Sequence, residues 1–264
     1  MSQASMDLRE FKIPLGKLAP LETFITRQGA KLSYRFYSAW SEDLIVLYHG
    51  SGSDSRYMCV LASALAEKGI ANVVTPDFRC HGVSLNASDE IPMNQLEIDL
   101  EELLIHIKMQ KAVQCVTLAG HSMGGGFALR IAVSDLRNQF VKFVGIAPHL
   151  PDPLETSRPH YGGWITEDET GFNVNFPERF RTGQEKLHYS RAFLRAVHAP
   201  LNLVDLIQKM HPSLAAVTGR FDEVVDAEKQ KAVFDQLGVP MLITEANHLT
   251  VVSKVDSYLS LFER

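Results

Sequence analysis

The sequence predicts a mostly parallel, doubly wound α/β sheet with a segment inserted late in the chain, and three observations carry that expectation. Short, near-continuous apolar runs recur along the chain, as strands buried on both faces require. Amphipathic helical patterns lie between them, and that alternation is the mark of parallel crossover units. One stretch, 149–210, breaks the alternation. At 264 residues the chain suffices for one α/β core, expected over 1–148 and 211–264, with 149–210 as an inserted cap.

The first third opens with period-two patterning at 23–26 and 32–37, joined at Gln28-Gly29, which predicts an antiparallel pair at one sheet edge. The grain then changes. Apolar runs at 44–48, 71–74, 113–119, 140–146, 214–217 and 241–243 read as buried strands. Helical spacing fills the gaps at 57–68, 124–134, 226–237 and 250–262. It is clearest where Leu96, Leu100, Leu103, Leu104 and Ile107 form one face and Glu97, Asp99, Glu101 and Glu102 the other, so the acid run is a solvated helix face. Pro148, Pro151, Pro153 and Pro159 then turn the chain out of the sheet. The inserted stretch is rich in aromatics. Trp164, Phe172, Phe176 and Phe180 are candidate walls of an apolar substrate pocket, the competing use being a small core of the cap's own.

Composition narrows the function classes. A net charge of −5 supplies no basic field for a nucleic-acid backbone, which argues against nucleic acid as a partner. Cys59, Cys80 and Cys115 are too few and too scattered for a disulfide framework and fit a reducing compartment. The first 20 residues mix acids and bases without the apolar core of a signal peptide. No run approaches the roughly 18 apolar residues of a spanning helix. These features predict a cytoplasmic protein with no membrane span.

Gly120-His121-Ser122-Met123-Gly124 follows the apolar run at 113–119 and opens a helical pattern. A nucleophile on a strand-to-helix turn needs glycine on both sides, because a side chain there would meet the backbone opposite. The five-residue pattern alone arises by chance in on the order of one chain in ten of this length. Its place between strand and helix is what gives it weight.

A serine hydroxyl is a poor nucleophile at neutral pH and needs a base that a third group orients. His248, after the last strand and before the last helical pattern, is the candidate base. Asp222, directly after the strand at 214–217 and the turn at Gly219, is the candidate acid, with Glu223, Asp226 and Glu245 as competitors. All three groups project from strand C-terminal ends, where doubly wound sheets keep their sites. The backbone N–H groups of Met123 and Ser51 are candidate oxyanion donors, Ser51 lying in the loop His49-Gly50-Ser51-Gly52. His49 reads as packing for that loop. No metal and no cofactor is expected, since neither His-Glu-x-x-His nor paired-cysteine spacing occurs.

Together with Asp77-Phe78-Arg79-Cys80-His81-Gly82-Val83-Ser84, Gly219-Arg220-Phe221-Asp222 and Asn247-His248, these segments in this order resemble an α/β-hydrolase of the monoacylglycerol-lipase or lysophospholipase-like branch. The likeness runs from about Leu32 to the C-terminus. It implies the α/β-hydrolase fold and a serine esterase that cleaves small-molecule carboxylic esters, acylglycerols or other lipid-like esters among them. The same triad also serves thioesterases, amidases and peptidases. By the same resemblance Asp77 and Arg79 hold a loop, and Cys80, where the family usually carries glycine, implies an altered loop path.

Two rival classes are weaker. A dinucleotide-binding reading of Gly50-Ser51-Gly52 lacks the third glycine, Ser55 standing there, and leaves Ser122, Asp222 and His248 unused. A non-catalytic binding module on the same fold would not need all three of those side chains.

Overall fold

The computed structural model describes residues 15–176, 178 and 181–263. In chain order the strands are β1 (Leu21–Ile25), β2 (Lys31–Tyr37), β3 (Asp43–Tyr48), β4 (Asn72–Pro76), β5 (Cys115–His121), β6 (Lys142–Ile146), β7 (Ile165–Glu167), β8 (Gly171–Val174), β9 (His188–Ser190), β10 (Leu214–Gly219) and β11 (Met241–Thr244). Eight of them make one sheet in the order β1-β2-β4-β3-β5-β6-β10-β11. β1 and β2 pair antiparallel, as does β2 with β4, and every pairing from β4 through to β11 is parallel. This is the predicted sheet, with its antiparallel pair at one edge.

The apolar runs explain the burial. β3 is buried from Leu44 to Tyr48 and β4 over its whole length, because crossover helices cover both sheet faces. The helices are α1 (Cys59–Glu67), α2 (Gln95–Lys108), α3 (Met123–Ala132), α4 (Arg191–Val197), α5 (Leu203–Met210) and α6 (Ala227–Gln236). On α2, Leu96, Leu100, Leu103, Leu104 and Ile107 face the core. Of its acidic residues Asp99 alone is fully buried, and it is paired with Arg79 at 2.6 Å. One acid of the expected solvated face is therefore an internal anchor.

Beside β3 the strand order reverses: the chain goes to β4 on one side and returns to β5 on the other. Such a switch point opens a crevice at the strand C-terminal ends. The turns that follow β3, β5, β10 and β11 all reach this edge.

Two segments differ from expectation. Residues 250–262, predicted as one helix, form three 3₁₀ turns, Thr250–Ser253, Val255–Ser257 and Leu259–Leu261. Thr250, Val251, Val252 and Val255 are β-branched and crowd a helix. The Tyr258 hydroxyl also takes the Val251 carbonyl at 2.9 Å, while Thr250 Oγ1 and its N–H both bond Asn247 Oδ1 at 2.8 Å. Those local bonds favour short turns. The stretch between β6 and β10, in turn, is not strandless. β7, β8 and β9 form a separate antiparallel sheet, followed by α4 and α5. Strands of three or four residues are too short to show a period.

Candidate active site

The turn after β5 carries Ser122 at φ 53° and ψ −115°, a left-handed backbone that a non-glycine residue adopts only where its surroundings enforce it. The enforcement is visible at its two glycines. A Cβ on Gly120 would lie 2.2 Å from the Gly124 carbonyl oxygen, and one on Gly124 would lie 2.6 Å from the His49 oxygen and 2.7 Å from that of Tyr48. Strand, turn and helix thus close at backbone-to-backbone distance, and α3 begins at Met123 immediately after the serine.

Ser122, His248 and Asp222 form one hydrogen-bonded line. His248 Nε2 stands 2.9 Å from Ser122 Oγ, and His248 Nδ1 stands 2.8 Å from Asp222 Oδ2. With the proton on Nδ1, the ring donates to the carboxylate and accepts from the serine hydroxyl. The other Asp222 oxygen accepts from the Val224 and Val225 N–H groups at 2.9 and 2.8 Å, so the carboxylate cannot swing away. Burial alone would lower the His248 pKa, but the charge and hydrogen bond of Asp222 outweigh it and hold the ring above its ordinary value.

The competing acids stand elsewhere. Asp226 caps α6, accepting from the Glu228 and Lys229 N–H groups, and Glu245 pairs with Arg220 at the surface at 2.8 Å. Glu223 has a role that sequence reasoning missed: its Oε2 accepts the backbone N–H of His248 at 3.1 Å, and burial raises its pKa. His121, on the other flank, meets the His248 carbonyl through Nε2 at 2.7 Å. Burial lowers the His121 pKa to about 3, so that ring is neutral and donates. His248 is held by its backbone from both sides. Spacing in the sequence gives no signal for either contact.

The loop after β3 is fixed through three further side chains. His49 is fully buried; its Nε2 accepts the Phe78 N–H at 3.2 Å and its Nδ1 lies 2.9 Å from the Gly50 carbonyl, which confirms a packing role. The Tyr189 hydroxyl of β9 accepts the Gly52 N–H at 2.8 Å and lies 2.8 Å from His81 Nε2. His81 Nδ1 in turn meets the Arg79 carbonyl at 3.1 Å. Asp77 accepts from the Ser55 N–H at 2.7 Å and from the Ser33 hydroxyl. Cys80 sits at φ 65°, in the left-handed region glycine favours, so this cysteine bears the backbone conformation that glycine would adopt without strain.

Two cavities meet at Ser122. The larger, about 650 Å³ counted to its open mouth, touches Ser51, Ser122 and His248 and is walled by Trp164, Phe176, Val174, Leu249 and Val252. The smaller, about 460 Å³ on the same measure, touches Ser51, Ser122 and Met123 and is bounded by Phe172, His149 and His198. The four aromatics singled out in the sequence are therefore divided. Trp164 and Phe176 face the first cavity and Phe172 the second, while Phe180 lies outside the described residues. Of the candidate oxyanion donors, Ser51 lines both cavities and Met123 the smaller one. Among the described residues no group of His, Cys, Asp and Glu could hold a metal ion, and no helix is long and apolar enough to cross a membrane.

Comparison with known proteins places the chain among hydrolases. A family model described as serine aminopeptidase, S33, matches residues 41–166. The sn-1-specific diacylglycerol lipase ABHD11 of Xenopus tropicalis is 34% identical over 134 residues, 49% of this chain and 40% of that protein. Protein phosphatase methylesterase 1 of Rattus norvegicus is 25% identical over 114 residues, 42% of this chain and 29% of that protein. The matched stretch thus spans well under half the length of these relatives. Among solved structures, a monoglyceride lipase from Saccharomyces cerevisiae superposes with a TM-score of 0.66 at 17% identity, covering 92% of this chain and 94% of that one. The esterase Pf2001 of Pyrococcus furiosus gives 0.63 at 20%, covering 94% and 91%.

Proposed function

We propose that this chain, an α/β-hydrolase of the monoacylglycerol-lipase and lysophospholipase-like branch, cleaves carboxylic esters through an acyl-enzyme on Ser122. The observation that carries the reading is the unbroken line from Ser122 Oγ through His248 to Asp222, at 2.9 and 2.8 Å. A binding module would gain nothing from it.

In the proposed reaction Ser122 Oγ bonds to the ester carbonyl carbon as its proton passes to His248 Nε2. The carbonyl π electrons move to oxygen, and the Met123 and Ser51 N–H groups receive that oxyanion. Collapse expels the alcohol, which takes the proton from His248 and leaves an acyl-serine. Water then repeats the sequence, giving the acid and free Ser122. Asp222 stays ionised, fixing the His248 tautomer and stabilising the imidazolium.

Residues 149–210 serve as the cap, and Trp164, Phe172 and Phe176 as apolar walls for the substrate's hydrocarbon. These walls support lipid-like or acylglycerol esters within the ester class, ahead of thioesters, amides and peptides on the same triad. The free thiols Cys59, Cys80 and Cys115 support a reducing compartment such as the cytoplasm. Labelling with a fluorophosphonate, followed by a panel of esters, thioesters and amides of graded length, tests the reading. Covalent labelling that depends on Ser122, with esters turned over fastest, is the expected result. Failure to label would point to the binding module.

A further inference from the structure

The smaller cavity beside Ser122 has a wall unlike any other part of the site. His149 and His198 line it together, with ring centroids 4.6 Å apart and planes inclined by 25°. Tyr161 also stacks on His149, ring centroids 5.9 Å apart, and Phe172 stands 6.5 Å from His198. Among the described residues neither imidazole forms a side-chain hydrogen bond, although the backbone N–H of His149 holds the Ser122 carbonyl at 3.0 Å. Both side chains are half-buried, and because they line the cavity their ring nitrogens are open to whatever occupies it. The fully buried histidines at the site, His49, His81, His121 and His248, all have side-chain partners.

Chemistry assigns the two cavities to the two halves of an ester. The leaving oxygen must receive a proton from His248 Nε2, and His248 lines the larger cavity and not the smaller. Met123, whose N–H faces the carbonyl side in the proposed reaction, lines the smaller one and not the larger. The alcohol half therefore lies against Trp164 and Phe176, and the acyl half extends towards Phe172, His149 and His198.

We propose that His149 and His198 form a polar subsite that holds a hydroxyl or keto oxygen on the acyl group, a few atoms from the scissile carbonyl. The favoured substrate class is then esters of oxygenated acids rather than of plain alkanoic acids. Burial lowers the pKa of both rings, and for His198 the neighbouring His149 and Arg130 add to the effect. The pair therefore meets its ligand as neutral rings, each with one N–H to donate and one nitrogen to accept. That favours an uncharged oxygen over a carboxylate.

The proposal rests on the serine-hydrolase reading, and its test separates the two. The full chain is assayed with 4-nitrophenyl pentanoate and 4-nitrophenyl 4-oxopentanoate, which share leaving group and chain length and differ by one keto oxygen. Each kcat/KM is divided by the rate of hydroxide-catalysed hydrolysis of the same ester. The keto ester should lead by roughly three- to tenfold, the worth of one neutral hydrogen bond. His198→Phe and His149→Phe should bring the ratio to one or below, and His198→Gln, which keeps a donor, should retain part of it. Because the ratio is internal to each sample, partial unfolding of a variant cancels. A wild-type ratio at or below one, or a ratio unmoved in both Phe variants, overturns the subsite while leaving the hydrolase reading intact. Absence of turnover of the pentanoate ester by the wild-type protein takes both down.

Discussion

The floor of the site and its roof are built on different principles. The floor is the set of turns after β3, β5, β10 and β11, where Ser122, Asp222 and His248 are fixed by backbone contacts: close-packed glycines, two N–H groups on Asp222, and bonds to the main chain of His248 on both sides. The roof, drawn from the described residues of 149–198, is made of short strands, 3₁₀ turns and the short helix α4, which present side chains to the cavities. The contrast teaches where each property resides. On the proposed reading, chemistry belongs to the close-packed main chain below, and choice of substrate to exchangeable side chains above.

The sharpest way to break that division is at its centre. Ser122→Ala should reduce ester turnover by about 10⁴-fold or more and abolish fluorophosphonate labelling, since the triad acts as one unit. Circular dichroism should be unchanged. Near wild-type turnover would remove chemistry from the floor altogether.

Asp222→Asn should cost on the order of 10⁴ in kcat by losing the His248 tautomer. Asp226→Asn and Glu245→Gln should be close to neutral, because Asn caps a helix as well as Asp does and an exposed ion pair is worth little. Steady-state kinetics on the three variants checks the assignment. Strong loss at Asp226 or Glu245 would relocate the acid.

Acidity probes the floor in two opposed ways. Activity needs neutral His248, so kcat/KM should fall about tenfold per unit as pH drops below a value higher than the ordinary 6.5. For stability the raised His248 value works in the other direction, adding stability below 6.5 that is lost as pH rises through the folded value. The lowered values of His49, His81, His121, His149 and His198 oppose it: their stability is present above 6.5 and lost on acidification, towards about 3 for His121. Five such groups outnumber one, and the melting temperature should fall between pH 6.5 and 5. A rise over that interval would contradict the neutral, buried state of these rings.

Tyr189 is the point where roof reaches floor. Tyr189→Phe leaves the Gly52 N–H without its acceptor, and a buried donor so stranded costs about 1–3 kcal/mol. If the loop after β3 supplies an oxyanion donor, kcat should fall about five- to tenfold with KM little changed. A change in KM alone would place Tyr189 with the roof.

The smallest effect tests the larger cavity. Each methylene added to the alcohol of a short-chain ester should gain up to about 0.8 kcal/mol until the space beside Trp164 and Phe176 is full. Trp164→Ala should flatten that climb in kcat/KM. A lowered melting temperature with an unchanged chain-length profile would make these aromatics a core of the roof's own.

The floor was largely legible in the sequence because each of its constraints falls on residue type. Gly120 and Gly124 are required by steric closure, and Ser122, Asp222 and His248 each follow a readable strand. The roof was not, for β7, β8 and β9 are too short to show a period and their contacts join residues far apart in the chain. Tyr189 and Gly52 are 137 positions apart, and Glu223 meets the main chain of His248, which no side-chain pattern announces. The turns at 250–262 show local hydrogen bonds overriding an apolar spacing that fits a helix equally well.

The 2.6 Å that would separate a Gly124 Cβ from the His49 oxygen has a thermal consequence. Two main chains that touch without an intervening side chain have no rotamers to loosen on warming. The spacing between Ser122 and the loop after β3 should then persist until the sheet itself gives way, whereas the side-chain walls above should soften first. On the proposed reading, heating should blur selectivity before it stops the reaction.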